Sequence, residues 1–314
     1  MPTQAHIFVE SKLVRQKDQG ALDQLQGQLT QSGLAVSFRK SRPHHSLFQK
    51  AKLVARDKAF SEQNLPIVVI GNEGSRNEVL SGFLAVDENK KHPILLVSWP
   101  EKGGHIEALI SQIMTSLAAM QIKEAPVGLI SGDVPSKGQR YFLDYVQVGQ
   151  DFSALLPKFD QKFAIKEAWR QFLNFWNFLS SNQNALTFGW TLRHGRTYQH
   201  FSKTLGMQIL NNGLDEKAET EAPYTIRLVN QVPWPKIFLT YFQGKKGRQN
   251  PSRRGFLSFD IKEQADIHVR DIQSVKTDGR PLDNGAYTFT LSTWGTYPLI
   301  EAVQVKPEGK HHNK

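Results

Sequence analysis

A parallel α/β half followed by a β-rich half is the fold class this sequence predicts, and three observations predict it. Two short runs, Pro66–Ile70 and Pro93–Val97, are continuously apolar, the pattern of parallel strands buried on both faces. Stretches of helical periodicity alternate with such runs through about residue 125. From Ala125 onward short strand patterns dominate, separated by Gly, Pro, Asn and Asp clusters, as in an antiparallel sandwich or barrel.

The elements follow in order. Ala5–Val9 is a small apolar strand, and Leu22, Leu25 and Leu29 then recur at helix spacing. Leu34, Val36 and Phe38 alternate as a strand does. Ser46 and Gln49 open a helix with a capping-box pattern and turn Leu47, Ala51, Val54 and Ala55 inward. The buried strand at Pro66–Ile70 leads past Gly71 into a helix with Val79, Leu80, Phe83 and Leu84. Pro93–Val97 precedes a long helix carrying Ile106, Leu109, Ile110, Ile113, Met114 and Leu117. A β-α unit repeated four times implies a parallel sheet wrapped by helices.

In the second half the strands are Val127–Ile130, Tyr141–Val148, Tyr224–Leu228, Ile237–Phe242, Gly255–Ile261, Ile267–Ile272 and Tyr287–Leu291. One helix interrupts them, at about Ile165–Leu179, and its stripe of Trp169, Phe172, Leu173, Trp176 and Leu179 reads as core packing. Asn211–Pro223 reads as a polar loop and residues 307–314 as a disordered tail.

Composition narrows the function. The chain of 314 residues is long enough to bury a core without staples, and it has no cysteine. Disulfide frameworks, thiol catalysis, Cys-ligated zinc and iron–sulfur clusters are therefore excluded. The absence fits a reducing cytoplasm, and neither a signal peptide nor a membrane-spanning helix is expected. The formal net charge of +10 suits an anionic membrane surface or a phosphate-bearing ligand. Nothing beyond that charge suggests nucleic acid, and none is expected as a partner. The sequence holds no P-loop, no G-x-S-x-G elbow and no H-E-x-x-H spacing among its 10 histidines.

The richest stretch is Ile67–Gly82, IVVIGNEGSRNEVLSG. A buried strand runs into Gly71-Asn72-Glu73-Gly74-Ser75 and directly on into a helix. Amide hydrogens at a helix start favour an anion, and the carboxyl end of a parallel strand is where open α/β sheets bind nucleotides. Ser75 and Glu78 also form an S-x-x-E capping box, which explains both residues without a ligand.

With Phe83 added, this stretch resembles the GGDGT-x-NEV-x-NG signature of the diacylglycerol kinase catalytic domain family, which includes bacterial lipid kinases and sphingosine kinases and has NAD kinases as distant relatives. Gly71, Gly74, Asn77, Glu78, Val79 and Gly82 match, while Asn72, Glu73, Ser75 and Arg76 replace Gly, Asp, Thr and Leu. Arg140–Gly149 resembles the family's strand opening the second domain, and Thr277-Asp278-Gly279-Arg280 its late V-DG-E turn. The resemblance implies a Rossmann-like nucleotide-binding domain over 1–125, completed by about 293–306. An antiparallel β-sandwich over 126–292 would handle the lipid.

It further implies Mg²⁺-ATP, a lipid hydroxyl as acceptor, and a cytoplasmic protein peripheral at the inner membrane face. Gly71, Asn72, Glu73, Gly74 and Ser75 would hold the phosphates together with Lys102, Gly103 and Gly104, and Glu73 would face the metal. Several family residues are altered. Ile106 falls where a second acid is expected, and Arg254 stands at the position of the general base. An Arg stays charged at any workable pH and cannot deprotonate a hydroxyl. Glu101 or Glu107 are alternatives for the second acid, and Asp260 or Glu263 for the third. Val9-Glu10-Ser11-Lys12 stands where the family has an N-P-x-S-G loop. Two functions are therefore expected: a lipid kinase transferring phosphate from ATP to a lipid hydroxyl, at full or impaired activity, or a non-catalytic nucleotide- or anionic-lipid-binding protein on the same scaffold.

Overall fold

The structure is a computed structural model, and it describes residues 4–12, 19–42, 46–57, 60, 63–100, 106–133, 139–151, 187–214, 221–231, 256–262, 264–282 and 285–303. The chain divides into two compact units, Met1–Pro126 with Gly295–Lys314, and Val127–Trp294.

In the first unit the described strands are β1 (Gln4–Val9), β2 (Ala35–Lys40), β3 (Ile67–Ile70) and β4 (Ile94–Val97), joined by the end of β15 (Gly285–Ile300). The order is β15-β4-β3-β1-β2, and every pairing is parallel. All four residues of β3 are buried, as a strand covered on both faces requires. Helices α1 (Gln19–Gln31) and α4 (Ile106–Ala119) share a core in which Leu22, Leu25 and Leu29 meet Ile106, Leu109, Ile113 and Leu117. Helices α2 (Leu47–Ala55) and α3 (Glu73–Leu84) pack on each other. Gly82 makes that approach possible, since a Cβ there would lie 2.6 Å from both Ala51 Cβ and the Phe48 carbonyl oxygen.

The second unit is antiparallel: β14-β13-β7-β9-β8-β12-β15 in order, with β10 on β9, β11 on β10, and β5 on β6. Its strands are β5 (Ile122–Asp133), β6 (Gln139–Phe142), β7 (Tyr145–Gly149), β8 (Phe188–His194), β9 (Thr197–Asn211), β10 (Tyr224–Asn230), β11 (Phe256–Ile261), β12 (Ala265–Gln273), β13 (Val275–Thr277), β14 (Arg280–Pro281) and β15. Phe142, Phe188, Trp190, Tyr224, Tyr287 and Phe289 fill its core. Trp190 stacks on Phe201 at 4.3 Å and donates from Nε1 to Thr204 Oγ1 at 3.1 Å, so its polar edge is satisfied.

Three sequence expectations change. Tyr141–Val148 is two strands rather than one, because the amides of Leu143, Asp144 and Tyr145 all turn toward one side chain, Asp278. The β8–β9 hairpin, joined across His194-Gly195-Arg196, carried too mixed a polar pattern to read as strands. The last strand runs to Ile300, well past Leu291. The expected helix at Ile165–Leu179, the strand at Ile237–Phe242 and the tail lie outside the described residues.

Candidate functional site

The strand order places a switch point between β1 and β3. From β1 the chain crosses to β2 on one flank, then returns past β1 to β3 on the other. Loops leaving the carboxyl ends of two such strands diverge, and the gap between them is where open α/β sheets hold ligands. The residues at that gap are Glu10 after β1 and Gly71-Asn72-Glu73 after β3.

The ladder continues one residue past the strands: Glu10 N–H donates to Ile70 O at 3.1 Å and Gly71 N–H to Val97 O at 2.9 Å. Asn72 then leaves extended (φ −117°, ψ −178°) as the N-cap of α3. Its Oδ1 accepts from Ser75 N–H at 3.0 Å, while its own N–H donates to Ser75 Oγ at 3.3 Å. The helix start therefore closes on itself through a reciprocal capping box.

This corrects the expected box. Ser75 is the far partner, not the cap, and Glu78 Oε2 instead accepts from Leu47 N–H at 3.1 Å. The Glu78 carboxylate thus sits against the start of α2, where its charge is favourable. Gly71 must be glycine, because a Cβ there would lie 2.5 Å from Ser75 Cβ and Oγ.

Glu73 and Asn72 are exposed, while Gly74 and Ser75 are buried. Glu73 heads the helix, a favourable place for a carboxylate. Glu10 is the residue that sequence reading passed over. It is 4% exposed, accepts from Ser41 Oγ at 3.2 Å, and its Cβ is 3.6 Å from where a Gly71 Cβ would be. The signal was available: a carboxylate directly after a buried strand, in the Val9-Glu10-Ser11-Lys12 stretch.

Lys102, Gly103, Gly104 and Arg254 lie outside the described residues, as do Glu101 and Glu263. Ile106, at the position of the second acid, is 6% exposed and belongs to the core between α1 and α4. Glu107 is exposed in the first turn of α4. Asp260, on β11 of the second unit, accepts from Thr225 Oγ1 at 2.9 Å.

In the second unit the Asp278-Gly279 turn is a structural knot. Asp278 has φ +47°, is 2% exposed, and accepts from the amides of Leu143, Asp144 and Tyr145 at 2.8, 2.9 and 2.7 Å. Burial and the neighbouring Asp144 carboxylate push Asp278 up to about 7, against the pull of the three amides.

The elbow keeps fewer amides for a triphosphate than an uncapped helix start would. Two of its amides, those of Asn72 and Ser75, are already bonded within the turn, and the Cβ of the buried Glu10 packs beside Gly71. Among the described residues, no three His, Asp or Glu side chains gather as a metal ion would need.

No family model matches the sequence, and no curated protein matches it significantly. Solved structures do match. A Bacillus anthracis Sterne protein assigned as a diacylglycerol kinase superposes with a TM-score of 0.62 at 13% identity, over 96% of this chain and 99% of its own. Another diacylglycerol kinase structure from the same strain gives 0.57 at 12% identity, over 95% and 96%. Yeast NADH kinase complexed with NADH gives 0.51 at 9% identity, over 97% and 85%. Together with the switch point, the elbow and the antiparallel unit, these matches settle the architecture: the chain has the fold of diacylglycerol kinases, shared more distantly by NADH kinase.

Proposed function

We propose that this chain is a nucleotide-binding protein on a lipid-kinase fold in which phosphoryl transfer to a lipid hydroxyl is impaired. The observation that carries the reading is the reciprocal Asn72–Ser75 capping box at the switch point. Phosphoryl transfer relies on positioning and charge neutralisation, with donors aimed at the phosphates and a carboxylate near the attacking hydroxyl. Here the turn spends two amides on its own side chains, and the place of a second acid is a core isoleucine. ATP with Mg²⁺ would then meet Glu73 as the exposed acid of the elbow. A lipid acceptor or anionic membrane surface would be the second partner. Cytoplasmic placement with peripheral association at the inner membrane face belongs to the same reading; among the described residues no helix is long and apolar enough to cross a membrane.

A second reading, an active lipid kinase, is favoured by Glu73 itself, exposed at the first helical position where the resembling family has its Asp. One experiment separates the two. ATP with Mg²⁺ is expected to raise the melting temperature, while labelled phosphate transfer to a panel of diacylglycerols stays at the level of Glu73→Gln. Asn72→Gly, which removes the cap's side chain, is expected to tighten ATP binding about 3-fold or more, the scale of one modest hydrogen bond. Transfer that Glu73→Gln abolishes would establish the active kinase instead. No response of wild type or Asn72→Gly to ATP would sink both readings.

A further inference from the structure

The second unit carries a groove of about 490 Å³, an apolar floor edged by polar side chains, that the elbow does not involve. It lies on the outward face of β9, β8, β12 and β15, and alternation places it there. Trp190 and Leu192 of β8, Ile267 and Val269 of β12, and Phe289 and Leu291 of β15 point into the core. Their neighbours point out, and the pairing aligns those neighbours in two rows across the strands. Tyr198, Arg193, Asp266 and Thr290 form one row. His200, Thr191, His268 and Thr288 form the other. Directly opposed cross-strand residues have Cβ atoms about 4.5–5.5 Å apart, so each row is a contiguous strip of polar groups.

Two of the acceptors and donors are already oriented. Asp266 Oδ1 accepts from Thr290 Oγ1 at 2.7 Å, and His268 Nδ1 bonds Thr288 Oγ1. With Nδ1 so engaged, Nε2 is the ring nitrogen left for a ligand. Charge gives the second clue. From Phe188 to Thr204 the hairpin carries Arg193, Arg196 and Lys203 and no Asp or Glu. An Arg guanidinium beside an imidazole and a tyrosine hydroxyl suits a phosphate ester, whose oxygens accept several charge-assisted bonds at once. The single acid, Asp266, lies in the Arg193 row and suits an adjacent ligand hydroxyl.

We propose that this groove is a binding site for a hydroxyl-bearing phosphate ester of the glycerophosphate kind, held by Arg193, His268 and Tyr198 with Asp266 taking a hydroxyl. The site stands whether or not the elbow binds nucleotide, because every residue of it belongs to the second unit.

The test uses the full chain with free glycerol 3-phosphate by calorimetry, inorganic phosphate as its control, and vesicles of phosphatidylglycerol in phosphatidylcholine by co-sedimentation. Four variants are compared. Arg193→Ala and His268→Ala alter the groove, Asp266→Asn alters its acid, and Arg196→Ala removes an equal charge at the hairpin tip outside the groove lining. Arg193→Ala and His268→Ala are each expected to weaken binding about 10-fold or more, a single charge-assisted hydrogen bond's worth, while Arg196→Ala stays within about 2-fold. Binding of the free ester with that pattern identifies a soluble ligand, and the same pattern with vesicles alone identifies a lipid headgroup. Asp266→Asn is expected to weaken glycerol 3-phosphate more than inorganic phosphate. Equal losses in Arg193→Ala and Arg196→Ala would reduce the groove to a diffusely basic hairpin, and no binding of either probe would overturn the proposal. Melting curves that match wild type confirm that the exposed substitutions leave the unit folded.

Discussion

Glu73 and Asp278 are both acids at motif positions, one in the elbow of the parallel unit and one in a tight turn of the antiparallel unit. Glu73 is exposed at the head of α3. Asp278 is sealed in, and three consecutive amides close on its carboxylate. The same kind of residue is thus left available in one place and consumed by the backbone in the other. Nothing in the local sequence, Asn-Glu-Gly against Thr-Asp-Gly, announces that difference. It comes from what each turn packs on. The elbow ends a strand beside open solvent, whereas the Asp278 turn pins the break between β6 and β7.

The sharpest way to break that contrast is at Asp278. Asp278→Ala leaves three amides without their acceptor around a buried turn, and it is expected to destabilise the second unit by about 3–5 kcal/mol in urea unfolding. A cost under about 1 kcal/mol would mean that the carboxylate is not the pin. Asp278→Asn sharpens the point through pH. With its folded value raised to about 7 from 3.8, the acid contributes stability that is fully present below about pH 4 and lost as pH rises through about 7. The deficit of Asp278→Asn relative to wild type should therefore narrow between pH 4 and 8. A widening deficit would show that the three amides outweigh burial and Asp144.

A smaller effect is expected at the elbow. Gly71→Ala should cost about 1–3 kcal/mol, because the new methyl meets Ser75 Cβ and Oγ at 2.5 Å in a turn that is already packed. Both offending atoms belong to Ser75, so Ser75→Gly in the same chain should recover part of the loss. The measurement is a double-mutant cycle by thermal unfolding; strictly additive costs would show that the clash lies elsewhere.

These contrasts explain how much the sequence could reveal. Strands β3 and β4 were legible because a strand covered on both faces has to be continuously apolar, and Pro66–Ile70 and Pro93–Val97 are. The helix after Gly71 was legible from its periodicity. The motif residues themselves proved to be scaffolding in part: Gly82 admits α2, Glu78 caps α2, and Asn77 is buried. A resemblance carried by such residues transmits fold better than chemistry. Glu10 escaped because its importance lies in a neighbour sixty residues on, across a parallel pairing that no local pattern encodes. The cross-strand rows of β8, β12 and β15 escaped for the same reason: register, not composition, assembles them.

The smallest expected effect concerns a buried and a half-buried histidine in the first unit, where the contrast with Asp278 reverses sign. His92 is 4% exposed and stacks on Phe60 at 4.4 Å, and His6 meets the edge of the same ring at 4.4 Å. Burial is the main force holding both imidazoles below their usual range. Arg39 and the partner ring add to it for His6, with Asp57 opposing. For His92, Lys90 adds to it while the Leu65 carbonyl opposes. A base whose folded value is depressed stabilises the fold fully above the unfolded value of 6.5, and that contribution is lost as pH falls through the lowered folded value. The first unit should therefore melt progressively lower as pH drops from about 7 toward 5, the range over which unfolded histidines charge. His92→Phe keeps an aromatic ring against Phe60 and removes the proton acceptor, so it should flatten that slope without a large loss at pH 7.5. A slope unchanged in His92→Phe would move the acid sensitivity of this unit to its carboxylates.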